Sequence, residues 1–238
     1  MQTETIAYTY DIIHPDNTAL IEKAAACLAD AFTGVQVGDV FIQEPIIGYA
    51  LQLLYDDFYT FTKQYIEDNA AQGYCAVALD DEQQVVGALV GDHNAFVIGE
   101  FPTFEGTFEK MNVVADVLDD IDARFLRDFE ARFQKPLEDG DVMHIFLLGT
   151  RAKVNRQEVV KHLGLLLEER ARKNGIKMML AEATNPKSMR VFEKYHGLTK
   201  HVTVDGDYIV HSYKDNMHLA VIPETMADGI YIISKTLV

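Results

Sequence analysis

Residues 142–198 read VMHIFLLGTRAKVNRQEVVKHLGLLLEERARKNGIKMMLAEATNPKSMRVFEKYHGL, and the order of patterns within them decides the fold. The opening VMHIFLLGT is almost continuously apolar, as a strand covered on both faces must be, so it belongs in the middle of a sheet. Arg151, Lys153 and Arg156 follow, and then Val160, Leu163, Leu167 and Ala171 recur at steps of three and four, the spacing of one helical face. Gly175 supplies the usual helix stop. Residues 176–182 read as a second strand. Asn185 is a favoured N-cap with Pro186 at the first helical position, and Ser188 and Phe192 sit one turn apart on the short helix that results. Strand, basic loop, helix, strand, capped helix is an arrangement that presents backbone amides to a phosphate-bearing ligand.

The rest of the chain extends this core on both sides. Residues 8–13 alternate as a first strand, residues 18–32 form a helix capped by Asn17, and an aromatic-rich helix is expected over residues 48–69. Residues 74–79 and 84–90 read as a hairpin turning at Asp80, Asp81 and Glu82. Between Asn94 and Gly140 lies one strong helical stripe, Met111, Val114, Val117, Leu118, Ile121, Phe125 and Phe129, expected to be an insertion packed beside the sheet. Residues 201–211 and 229–237 are further strand candidates. With no repeat, linker or low-complexity tract, the expectation is one domain over residues 1–238 with a helical insertion at about 94–140.

The loop, helix, Gly175, strand, Asn185 and FEKYHGL resemble the acyl-CoA-binding core of the GNAT superfamily of N-acetyltransferases, and the element order extends the resemblance over most of the chain. It implies an α/β fold, a mixed central sheet flanked by helices in which the fourth and fifth strands splay apart around the pantetheine arm of acetyl-CoA, the cosubstrate. Carried over residue by residue, Leu148, Gly149 and Thr150 lie beside the pantetheine. Asn155, Arg156, Gln157, Glu158, Val159 and Val160 lie beside the pyrophosphate, and Asn185 and Ser188 flank the arm. The sequence departs from the family's R-x-x-G-x-G pattern. Counted back from Gly175, Asn155 stands for the arginine and Glu158 and Val160 for the glycines; a one-residue shift restores Arg156 but leaves Val159 and Lys161 in the glycine places. Without the glycines the backbone cannot approach a pyrophosphate as closely, and the Glu158 carboxylate opposes it. Phe192 stands where the family carries a tyrosine, with Tyr195 one turn on and His196 an extra residue before Gly197.

Acyl transfer from a thioester to an amine needs a base that gives a neutral amine and an acid that protonates the departing thiolate. FIQEPI, residues 41–46, resembles the Phe-x-x-Glu-Pro-Leu stretch of insect-type arylalkylamine N-acetyltransferases, which implies that Glu44 is the base; otherwise Glu-Pro only starts a helix. Thr184 and Ser188 have the spacing of that subfamily's hydroxyl pair, so Ser188 is the candidate acid, or both satisfy backbone at a helix start. His144 stands where vertebrate relatives place the first histidine of a His-x-His strand and Phe146 where they place the second. On an apolar strand such a histidine is otherwise a bonded core residue. Alternation sets His144 and Phe146 on the same face as Leu148. Among the aromatics after Glu44, Tyr49 and Tyr55 are the expected substrate-side members, beside Phe146.

Composition bounds the remainder. A net charge of −16 argues against nucleic acid as a partner. The charge is uneven: residues 1–141 carry a net of −20 and residues 142–238 a net of +4, which suits a cationic amine in one half and an anionic cosubstrate in the other. No apolar run reaches membrane-span length and MQTETIAYTY has no leader pattern, so a cytoplasmic protein with no membrane partner is expected. Cys27 and Cys75 read as buried thiols, and His93, His162, His201, His211 and His218 show no ligand-like pairing, so no metal is expected. The expected activity is acetyl-CoA-dependent N-acetylation of a small primary amine of arylalkylamine or polyamine type. The alternatives are a non-catalytic binding or interaction protein of the same fold, or a protein or peptide N-acetyltransferase.

Overall fold

The computed structural model describes residues 7–94 and 103–237. Its main sheet runs in the order β1 (Thr9–Ile12), β4 (Cys75–Leu79), β5 (Val85–Asp92), β6 (Val142–Thr150), β7 (Met178–Ala183), β10 (Gly229–Thr236) and β8 (Thr199–Lys200), with β9 (Val210–Ser212) also on β10. A separate small hairpin pairs β2 (Val35–Val37) with β3 (Val40–Ile42). Every pairing is antiparallel except β6 with β7. That parallel ladder runs from Val142 opposite Met178 to Ile145 opposite Ala181 and then stops, although β6 continues to Thr150. The two central strands therefore splay, as the mixed-sheet expectation required.

Helices α1 (Thr18–Thr33), α2 (Tyr55–Asn69) and α3 (Asn112–Phe133) cover one face, where Ala24, Leu28, Phe58, Leu118, Ile121 and Phe125 pack on Val77, Val90 and Leu180. Helices α4 (Arg156–Lys173) and α5 (Pro186–His196) cover the other, with Leu163, Leu167 and Phe192 on Met143, Ile145 and Ala181. All seven residues of the apolar stripe in the insertion are buried, which holds α3 against the sheet. Residues 95–102 of that insertion lie outside the described residues.

Three local expectations change. The helix expected over residues 48–69 is two elements, a π-helical turn at Pro45–Ala50 and α2, separated by residues 51–54, where Gln52 takes a left-handed φ of 50° while Leu51 and Leu53 are buried. Residues 201–211 do not form one strand. They fold back on themselves, with Val202 bridging Tyr208 across Asp205 and Gly206, whose φ of 92° suits glycine. Finally, β6 carries a bulge: Val90 pairs with Leu147 but Gly91 with Ile145, so Phe146 is the extra residue. It shifts alternation by one, so Leu148 packs on the α4–α5 side while Phe146 packs on the α1–α3 side.

Candidate active site

A cavity of about 770 Å³, its open mouth included, occupies the gap between the splayed strands and passes between the two faces. Ile145 to Leu148 of β6, residues 181–184 at the end of β7, Ser188 and Phe192 of α5, Leu118 of α3 and Glu44 all line it. Of the residues the sequence suggests for a site, Glu44, Phe146, Leu148 and Ser188 line this one cavity.

Glu44 owes its position to the π-helical turn it starts. Its side chain caps that turn, Oε2 accepting from the amides of Ile46 at 2.8 Å and Ile47 at 2.6 Å, and Pro45 fills the position that needs no donor. Turns of this kind recur at functional sites. The residue is 7% exposed, and its Oε1 is buried without a hydrogen-bond partner. Burial pushes the carboxyl up to about 7, against the pull of the two amides and the nearby Thr184 hydroxyl. Such a group exchanges protons near neutrality, which a general base must do. Tyr213, absent from the sequence-based site, closes this end: its hydroxyl donates to the Thr184 carbonyl at 2.7 Å, and burial followed by the Glu44 charge holds its phenol neutral.

His144 is not on the cosubstrate side. Its Nδ1 lies 3.1 Å from Asp92 Oδ2 and its Nε2 2.7 Å from Glu182 Oε2, and Tyr65 donates to the same Asp92 oxygen at 2.6 Å. Burial lowers the imidazole's proton affinity, but Glu182 and Asp92 outweigh it and hold His144 well above its ordinary value, in the charged form. An imidazole whose proton is held by two carboxylates is a poor base, so the geometry makes His144 a bonded core histidine. Next to it, Asp122 of α3 lies against Glu182. Burial first, then the Glu182 charge, raise its carboxyl to about 9.

The other expected residues spread out. Ser188 Oγ donates to the Asn185 carbonyl at 2.9 Å, while Asn185 Oδ1 caps α5 by accepting from Lys187 at 2.8 Å, so both serve the helix start in the structure as it stands. Gly149 faces α1, where a Cβ would lie 2.7 Å from the Ala31 methyl; its missing side chain lets α1 approach β6. Thr150 packs beside Gly87 on the opposite face. Tyr49 and Tyr55 do not line the cavity: Tyr49 packs against the core and Tyr55, 39% exposed, stacks on Tyr59. Phe146 alone of the expected substrate-side aromatics reaches it, in a tilted ring contact with Tyr65 at 4.5 Å between centroids.

At the start of α4, Arg156, Gln157 and Glu158 are exposed, but Val159 and Val160 are buried and offer only backbone. Much of that backbone is engaged. The Glu158 amide donates to Asn155 Oδ1 at 3.3 Å and the Val159 amide to the Asn155 carbonyl at 3.0 Å. Asn155 Nδ2 in turn donates to the Glu158 carboxylate at 3.2 Å. Tyr195 adds a bond to Gln157 Oε1 at 2.9 Å. The splayed strands thus fit a pantetheine arm. The helix start fits a pyrophosphate only if Asn155 and Glu158 give way, with Arg151, Lys153 and Arg156 supplying charge that the missing glycines cannot.

Cys27 and Cys75 are buried free thiols, and Cys75 Sγ donates to the Gly91 carbonyl at 3.8 Å. No described helix is long and apolar enough to cross a membrane. Among the described residues no group of His, Cys, Asp and Glu is placed to hold a metal.

The sheet order, the splay and the flanking helices define the GNAT fold, and solved structures agree. An agmatine N-acetyltransferase variant aligns over 97% of this chain and 100% of its own with a TM-score of 0.65 and 15% identity. A polyamine N-acetyltransferase of Drosophila melanogaster, described as forming N-acetylagmatine, aligns over 97% and 100% with a TM-score of 0.60 and 14% identity. Arylalkylamine N-acetyltransferase 2 of Aedes aegypti aligns over 98% and 100% with a TM-score of 0.62 and 13% identity. No protein-family model and no curated protein matches the sequence.

Proposed function

We infer that this protein is an N-acetyltransferase that uses acetyl-CoA as cosubstrate and acetylates a small primary amine by direct attack, with Glu44 as general base. One observation carries the reading: a buried carboxylate, fixed by two amides through one oxygen and open at the other, faces the gap between the splayed strands. Bound acetyl-CoA supplies the activated acyl group. Leu148 lines the gap that would take its arm, with Gly149 and Thr150 following along β6, and Arg156, Gln157 and the remaining first-turn residues of α4 would meet its phosphates. Glu44 Oε1 accepts the proton of the incoming ammonium, and burial, which raises its affinity to the neutral range, matches it to that task. Phe146, Phe32 and Phe58 exclude water from the reacting groups. Ser188 can turn from the Asn185 carbonyl toward the cavity it lines and give up its proton there. Amine-acetylating structural neighbours support the same reaction class.

A second reading, a non-catalytic protein of this fold, is favoured by the Asn155–Glu158 bond at the place of the phosphates. Calorimetric titration with acetyl-CoA, followed by amine-dependent release of free thiol, tests the two. Binding and turnover that is lost in Glu44→Gln is the expected result. Absence of binding overturns the enzymatic reading.

A further inference from the structure

Beyond Glu44, the cavity's other acidic wall has no task in the reaction just described. Glu182 lines the same cavity, its side chain is 5% exposed, and its Oε1 is buried with no hydrogen-bond donor. Asp122 lies one turn beyond Leu118, itself a lining residue, and its Oδ1 is likewise buried without a donor. The two carboxyl groups are close enough for a proton between them to bond them together. From the elements packed around them come Asp92 of β5, His144 of β6, Tyr65 of α2 and Asp119 of α3. The imidazolium of His144 already serves Asp92 and one oxygen of Glu182. The Asp122–Glu182 pair stays buried by sharing a proton, and a cation of suitable reach can take that proton's place.

We propose that Asp122 and Glu182 form a subsite for a second cationic group on the acceptor, so that the preferred substrate is a short diamine or an amino-alkyl guanidine and not an arylalkylamine. This assignment rests on the acetyltransferase reading above. Thr184 adjoins Glu44 and stands two residues from Glu182 on the same face of the β7 chain, a separation of about 7 Å, the span of roughly four or five methylenes. Between the two acidic ends the wall is apolar, formed by Phe146, Leu118 and Ile47, which suits a hydrocarbon spacer. An aromatic ring offers the carboxyl pair nothing. A cation entering the subsite replaces the proton that the pair holds when empty, so binding releases a proton to solvent.

The test is calorimetry of 1,4-diaminobutane and of butylamine at about pH 7, with and without coenzyme A, in two buffers of different ionisation enthalpy. The expected result is a preference for the diamine of about 30-fold or more, with proton release for the diamine alone, and a preference reduced severalfold in Asp122→Asn and in Glu182→Gln. Equal affinities, binding of neither amine, or a preference unmoved in both variants overturns the subsite. Should Glu182→Gln fail to fold, Asp122→Asn and the proton count decide. Diamine selectivity without acetyl transfer retains the subsite and overturns the acetyltransferase reading; acetyl transfer without diamine selectivity does the reverse.

Discussion

Two buried imidazoles, His144 and His201, each lie against a buried carboxylate, and their surroundings differ in one respect that separates a site from a scaffold. His201 contacts Ser234 Oγ at 2.7 Å through Nδ1 and Asp128 Oδ2 at 2.8 Å through Nε2. Asp128 also accepts from the Val204 amide at 2.6 Å and from Arg132 at 3.2 Å. Every charge there has a partner, and the cluster ties α3 to the turn after β8 and to β10. Around His144, among the described residues, Glu182 and Asp122 keep buried oxygens with no donor, as does Glu44 across the cavity. A cluster that only holds a fold together gains nothing from buried groups left open.

The largest effect expected is on the open side. Glu44→Gln keeps the cap geometry, since an amide oxygen can still accept from Ile46 and Ile47, but removes the base. The acetyl-transfer rate should fall by about 10²- to 10⁴-fold with little change in melting temperature. A rate within a few fold of the parent would remove Glu44 from the chemistry.

Stability should separate the clusters in the opposite sense. Asp128→Asn weakens the buried acceptor that bonds His201, the Val204 amide and Arg132 and should cost about 1 to 3 kcal/mol in urea unfolding. Asp122→Asn, at a position whose carboxyl already holds a proton at neutral pH, should be neutral or stabilising above about pH 8. If the two variants cost the same, the distinction between open and closed clusters fails.

Their pH dependences should also run in opposite directions. Asp128 is held below its ordinary value: burial opposes this, but His201, the Val204 amide and Arg132 prevail. Its stabilisation is therefore present above 3.8 and lost as pH falls through the folded value. His201, lowered from 6.5 chiefly by burial, adds to the loss in acid, because its folded neutral form must then take up a proton. Glu44, Asp122 and His144 are all raised, so their contributions are full below 4.5, 3.8 and 6.5 and fade as pH rises through the folded values, about 7 for Glu44 and about 9 for Asp122. Melting temperature should fall from pH 6 toward 9, and Asp122→Asn should flatten that slope. Over the same range the acetyl-transfer rate should rise through about pH 7 as Glu44 ionises.

This contrast explains how far the sequence could be read. The buried strand Val142–Thr150, the Gly175 stop and the Asn185–Pro186 start are local signals, and all three stand where the periodicity and capping rules put them. Glu44 was legible only through the FIQEPI resemblance, with Pro45 marking the start of a helical turn. The bulge at Phe146 was not, since one extra residue in a strand leaves no mark on an apolar run, and it turned Leu148 away from the face of Phe146. Nor was the Asp122–Glu182 pair, whose members stand far apart in the chain and meet only when α3 lies on β7. One trace existed: Asp122 follows Leu118 by four residues and so falls on the apolar stripe of α3, where a carboxylate needs a reason.

The start of α4 is a closed arrangement of the same kind as the His201 cluster, placed where an open one would be useful. Asn155 caps the helix and bonds the Glu158 carboxylate, so the helix end carries its own anion. A phosphate must compete with that charge, and a fixed carboxylate in the first turn is worth about 0.3 to 1 kcal/mol. Glu158→Gln keeps a bond to Asn155 and removes the charge, so acetyl-CoA affinity should improve by about two- to fivefold, most visibly at low salt, where screening is weakest. Calorimetry at two salt concentrations checks both features. An unchanged affinity would mean that the phosphates rest on Arg151 and Lys153, away from the helix end, and that Glu158 belongs with the closed groups that only hold the fold.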